Sequence, residues 1–131
     1  MTGPNESGAS NEAVLCAVLS AWAVDLETAA VAFREHFTDD CVWDQGRTLP
    51  VTTGPEEAAQ LWLGLGARGI ATVEAEHRNV VVDGDVICTE RVDHVVLADG
   101  SRARSVPTVA FHEFRDGKIC AWREYFDTSG R

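Results

Sequence analysis

Three Asp-Gly pairs, Asp83-Gly84, Asp99-Gly100 and Asp116-Gly117, cut the second half of the chain into runs dense in Val, Ile, Thr and Phe. Asp-Gly between such runs is the strongest short-range sign of a β-hairpin. The spacing predicts four long antiparallel strands, over about 70–82, 85–97, 102–114 and 118–127. The first half follows the helical period instead. Asn11 reads as an N-cap, followed by Val14, Leu15, Val18, Leu19 and Trp22 at helical spacing. Asp25 reads as the cap of a second helix with the stripe Leu26, Ala29, Phe33 and Phe37, which Asp39-Asp40 ends. Cys41 to Gln45 reads as a short strand. Pro55 starts a third helix, with Glu56 and Glu57 suiting the helix dipole, and it runs to about Leu63 before Gly64, Gly66 and Gly69 loosen the chain. Helices first and a meander afterwards predict an α+β fold, with the helices on one face of a strongly curved, mostly antiparallel sheet.

The 131 residues suit one domain over 11–131, and the small, polar stretch 1–10 reads as a disordered tail with no signal-peptide pattern. A net charge of −10 argues against nucleic acid or anionic membrane as a partner. No segment approaches the roughly 18 apolar residues that span a bilayer. Cys16, Cys41, Cys88 and Cys120 have apolar neighbours and no CxxC spacing, which points to reduced, core-filling thiols in a cytoplasmic protein. His36, His77, His94 and His112 form no HxxxH or HExxH, so neither a metal nor another cofactor is expected.

Chemistry concentrates in two strands. In Thr89-Glu90-Arg91-Val92-Asp93, alternation puts Arg91 and Asp93 on one face. In Trp122-Arg123-Glu124-Tyr125-Phe126-Asp127, Glu124 shares a face with Trp122 and Phe126. If those aromatics face the core, two carboxylates and a guanidinium meet in an apolar hollow, and buried charge requires mutual pairing. Their backbones lie about 10 Å apart across one intervening strand, a gap that long side chains close. One proton shared in the cluster leaves it neutral, so the two carboxyls titrate as a unit and can serve as general acid and general base. The inward set predicted for the pocket is Val95, Val106, Thr108, Ala110, Trp122 and Phe126, together with Leu65. The alternatives are a plain Arg-x-Asp salt bridge, and Glu124 and Asp127 as solvated ends of the last strand. Turn composition alone does not set which parity faces inward.

The order of elements resembles the nuclear transport factor 2-like superfamily, which includes ketosteroid isomerases and SnoaL-type polyketide cyclases. Within it, Thr89 to Asp93 followed by Gly117-Lys118-Ile119-Cys120-Ala121-Trp122-Arg123-Glu124-Tyr125-Phe126-Asp127 resembles the limonene-1,2-epoxide hydrolase family, over roughly Asn11 to Asp127. The resemblance implies a cone-shaped α+β barrel enclosing a pocket, a homodimer formed through the outer face of the sheet, and epoxide opening in one step without metal. It assigns Asp93 as the acid that protonates the epoxide oxygen and Arg91 as the bridge between the carboxylates. The family's base is an aspartate where this chain has Glu124, one methylene longer, so the water site must shift. The family's water-holding tyrosine and asparagine fall on Trp43 and Gln45. Gln45 preserves the amide, whereas Trp43 keeps a donor and loses the acceptor. Trp43 and Trp122 read equally well as plain core aromatics.

The expected function is hydrolysis of a small hydrophobic epoxide to a vicinal diol. Two further readings share the pocket: an epoxide-opening cyclase or steroid-isomerase-like enzyme, for which Asp44 resembles the isomerase base in approximate position, and a non-catalytic small-molecule binder.

Overall fold

The computed structural model describes residues 4–46 and 49–127, and hairpin chemistry explains most of its sheet. The strands β3 (Ile70–Asp83), β4 (Val86–Leu97), β5 (Arg102–Arg115) and β6 (Lys118–Phe126) form the expected antiparallel meander. At the last turn Asp116 and Gly117 take φ of 52° and 79°, the two positive values that a type I′ loop requires. At the first turn Asp83 pairs with Val86, so the two-residue loop is Gly84-Asp85, one position later than the Asp-Gly pair suggests. These loops set the parity that composition left open. Arg91 lies opposite Thr108, which lies opposite Phe126, and Ala110 lies opposite Glu124.

Three helices, α1 (Pro4–Trp22), α2 (Leu26–His36) and α3 (Gly54–Leu63), cover one face of the sheet. The Asp25 cap is present, with its carboxylate accepting from the Thr28 amide at 2.7 Å. The start of α1 differs from expectation. The helix begins at Pro4, whose fixed φ suits a first turn, so it includes residues 4–10 and Asn11 is no cap. Asn11 is a buried helix residue whose amide donates to Asp85 at 3.3 Å. Residues 1–3 of the expected tail lie outside the described residues.

Between α2 and the sheet the chain also departs from the prediction. Asp39-Asp40 does not end a helix. α2 stops at His36, and Phe37 turns extended at once (φ −92°, ψ 141°), starting β1 (Phe37–Asp44). Strand pairing overrides helical spacing here, because Phe37 already sits opposite Ile119 of β6 in a parallel ladder. A two-residue strand, β2 (Thr52–Thr53), extends the sheet beyond β1. Gly54 follows at φ 84°, and a side chain there would meet the Asp39 carbonyl at 2.8 Å, so glycine is required. Instead of a loose glycine loop, Gly64–Arg68 forms a 3-10 turn. The six strands run β2-β1-β6-β5-β4-β3, a sheet curled but not closed.

The core fills the concavity. Trp22 of α1 stacks on Trp62 of α3 at 4.4 Å between ring centroids and on Trp122 of β6 at 5.5 Å. Phe33 packs on Phe37 and Trp43, both at 5.1 Å. Among the described residues no helix is long and apolar enough to cross a membrane. Phe33 is fully buried, whereas Val31 on the same helix is 49% exposed. Phe33→Ala is therefore expected to cost about 3–5 kcal/mol and Val31→Ala to stay within about 0.5 kcal/mol, as read from urea unfolding midpoints.

Candidate active site

β4 turns Thr89, Arg91 and Asp93 toward the helices, and β6 turns Glu124 to meet them. Arg91 has no exposed side-chain surface, while Asp93 and Glu124 retain 14% and 3%. The guanidinium forms a fork on Asp93, with Nε on Oδ1 at 3.0 Å and Nη2 on Oδ2 at 2.9 Å. The same Nη2 donates to Glu124 Oε2 at 2.5 Å, and Nη1 donates to Thr89 Oγ1 at 2.9 Å. One arginine thus bridges two carboxylates from strands that are not neighbours. Its other face lies over Trp22, with Cζ 5.8 Å from the ring centroid.

Burial alone would lower the affinity of Arg91 for its proton, but Asp93 and Glu124 outweigh it and raise the pKa. Burial pushes the Glu124 carboxyl up, with Asp93 adding to the rise, against the pull of Arg91 and of Trp43. With both carboxylates ionised the trio carries −1, and with one proton it is neutral. Trp43 Nε1 donates to Glu124 Oε1 at 2.9 Å, so each glutamate oxygen has one donor and keeps a further lone pair.

Behind the arginine lies a second layer. Thr89 Oγ1 sits 3.1 Å from His112 Nε2, and both residues are wholly buried. Burial, then the nearby Arg91 cation, hold the His112 pKa well below its usual value, so the ring is neutral. With Nε2 unprotonated, the ring accepts the threonine hydroxyl proton while the hydroxyl oxygen accepts from Arg91.

In front of the trio a cavity of about 480 Å³ opens. Asp93, Glu124 and Gln45 line it, as do Leu65, Val95, Val106, Thr108 and Phe126. The remaining expected residues stand behind its wall. Arg91 reaches the site through its two carboxylates, and Trp43 through Glu124. Ala110 and Trp122 are fully buried and do not line the cavity; Trp122 stacks on Trp22 and packs edge-on against His112 at 4.2 Å. Asp44 does not line it either.

The wall also includes residues that sequence reasoning missed. Leu97 and Arg104 continue the inward parity of Val95 and Val106 and could have been found by extending it. Trp22 had appeared only as a core-spaced aromatic, Trp62 lay unremarked inside the third helix, and Arg68 carried no signal. Cys41 is buried, and burial pushes its thiol up to about 12, which removes it as a nucleophile.

A family model for the SnoaL-like domain matches residues 18–122. The chain belongs to this family. Solved structures share the architecture of this SnoaL-like domain. An LEH-like epoxide hydrolase from M. tuberculosis is 23% identical, with a TM-score of 0.75 over 93% of this chain and 86% of that one. A protein assigned as a SnoaL-like polyketide cyclase from Jannaschia sp. CCS1 is 18% identical, with a TM-score of 0.72 over 92% and 87%. An NTF2-like protein of unknown function from Burkholderia pseudomallei K96243 is 15% identical, with a TM-score of 0.74 over 92% of each chain. At these identities the likeness extends to the fold.

Within this SnoaL-like domain, Thr89 ties the arginine to the histidine. Thr89→Val keeps the shape but leaves Arg91 Nη1 and His112 Nε2 without their buried partner. The expected cost is about 1–3 kcal/mol in urea unfolding; an unchanged midpoint would show that this layer does not hold Arg91.

Proposed function

We infer that the chain is an epoxide hydrolase that opens a small, mainly apolar epoxide to a vicinal diol. The observation that carries this reading is the buried Asp93–Arg91–Glu124 bridge, with both carboxylates facing one cavity. Glu124, whose pKa burial raises, is suited to take a proton from water held between it and Gln45. The water oxygen forms a bond to one ring carbon as the bond from that carbon to the ring oxygen breaks. Asp93, in its protonated form, gives its proton to the departing oxygen. Arg91 keeps both carboxyl groups aimed and limits the swing in charge as the proton moves from one to the other. Turnover ends with Glu124 protonated and Asp93 ionised, and exchange with water in the cavity resets the pair. No step requires a metal or organic cofactor.

The apolar lining from Leu65, Val95, Val106 and Phe126 suits a hydrocarbon body around the oxirane. Trp43 in this mechanism steers Glu124 by its indole N–H and does not touch the water. The homodimer belongs to the same proposal: Val109, Phe111 and Tyr125 stand 37%, 38% and 60% exposed on the outer side of β5 and β6.

The test is a panel of terpene, cyclic and aliphatic epoxides in isotopically labelled water. A diol carrying one labelled oxygen is expected, and Asp93→Asn or Glu124→Gln should each lower kcat by about 10²- to 10⁴-fold while circular dichroism stays unchanged. A cyclised or isomerised product without label would replace hydrolysis with the cyclase or isomerase reading. Full activity in both variants would remove the mechanism.

A further inference from the structure

Acidic residues outnumber basic ones in this chain, 21 to 11. Six of the eight described arginines are engaged: Arg34, Arg78, Arg91, Arg102, Arg115 and Arg123 each have a carboxylate within ion-pair reach. The two arginines with no hydrogen-bond or ion-pair partner among the described residues are Arg68 and Arg104. Both line the cavity in front of the acid–base pair.

They belong to one end of it. Arg104 lies opposite Val95 in the β4–β5 ladder. Arg68 closes the 3-10 turn, and the carbonyl of the next residue, Gly69, accepts from the Ala98 amide of the β4–β5 connection at 3.1 Å. Asp93 lies opposite Val106 and Arg91 opposite Thr108, so Arg104 sits two and four residues farther along the same strand. At the rise of a β-strand this is roughly 7 to 13 Å. The wall along this stretch is hydrocarbon, with Val106 opposite Asp93, Val95 opposite Arg104, and Leu97 and Ile70 paired at the outer rim. The cavity is thus bipolar: two acids at the inner end, hydrocarbon walls, and two uncommitted arginines toward the outer end.

We propose that the substrate is an amphipathic epoxide bearing a carboxylate, which Arg68 and Arg104 bind at the outer end while the oxirane reaches Asp93 and Glu124. The proposal rests on the epoxide hydrolase reading for the reacting group and adds the anionic end. An arginine fork matches a carboxylate in shape and charge. The same carboxylate entering the wrong way round would face the two inner acids, so the charges also set the direction of binding. A neutral epoxide fills the middle but leaves the arginines solvated.

The test needs no oxirane. Trp22 and Trp62 line the cavity, so tryptophan fluorescence reports its occupancy. Decanoate and decan-1-ol are titrated into the wild type, Arg68→Gln/Arg104→Gln and Arg104→Glu. Both positions are exposed, so the substitutions leave the core untouched. The wild type should bind decanoate about three- to thirty-fold more tightly than decan-1-ol, the gain that two solvent-exposed charge pairs supply. The double variant should bind the two alike, and Arg104→Glu should prefer the alcohol. Equal affinities in the wild type, no binding of decanoate, or an undiminished preference in the double variant would each overturn the proposal. Loss of epoxide turnover in labelled water would remove the hydrolase reading and leave this binding result standing, so the two failures are separable.

Discussion

A guanidinium with no exposed surface must be matched by negative charge on the spot, and this constraint organises the molecule around Arg91. Asp93 comes from the same strand two residues on, a spacing that guarantees a shared face. Glu124 comes from a strand once removed and depends on the register of both intervening hairpins. With both carboxylates absent, the guanidinium charge would stay buried and unmatched. The remaining nitrogen, Nη1, is met by Thr89, which in turn is met by a neutral His112. The site is therefore an extension of the core and not a decoration of the surface.

The aromatic cluster makes that electrostatic arrangement consequential. Trp22, Trp43, Trp62 and Trp122 stack between helices and sheet, and three of them touch the charged groups or the cavity. Their bulk keeps water from the inner side of Glu124, and the desolvation raises its pKa. Trp43 does two things at once, filling the core and holding Glu124 by one hydrogen bond. An aromatic core residue and a positioning residue are here the same side chain, so the two readings of Trp43 do not compete.

What could be read in advance followed from local chemistry. The Asp116-Gly117 turn, the Asp25 cap and the Arg91–Asp93 alternation each depend on a few adjacent residues, and each stands where expected. What escaped depended on distant ones. Phe37 fits a helical stripe, and only its partner on β6 makes it a strand residue. Ala110 and Trp122 share the inward face with Glu124, yet both are fully buried and neither lines the cavity. Alternation predicts a face, whereas depth depends on what packs above it. Arg68 and Arg104 became informative only once neither proved to have an ion-pair partner among the described residues.

The claim that Arg91, Asp93 and Glu124 act as one titrating unit is most directly tested by carbon-13 NMR of the side-chain carboxyls across pH. The Glu124 signal is expected to titrate above the ordinary glutamate range, and to move down when Asp93→Asn removes a neighbouring negative charge and leaves Arg91 to Glu124 alone. A Glu124 carboxyl that titrates like an exposed glutamate and ignores the change at Asp93 would contradict the account.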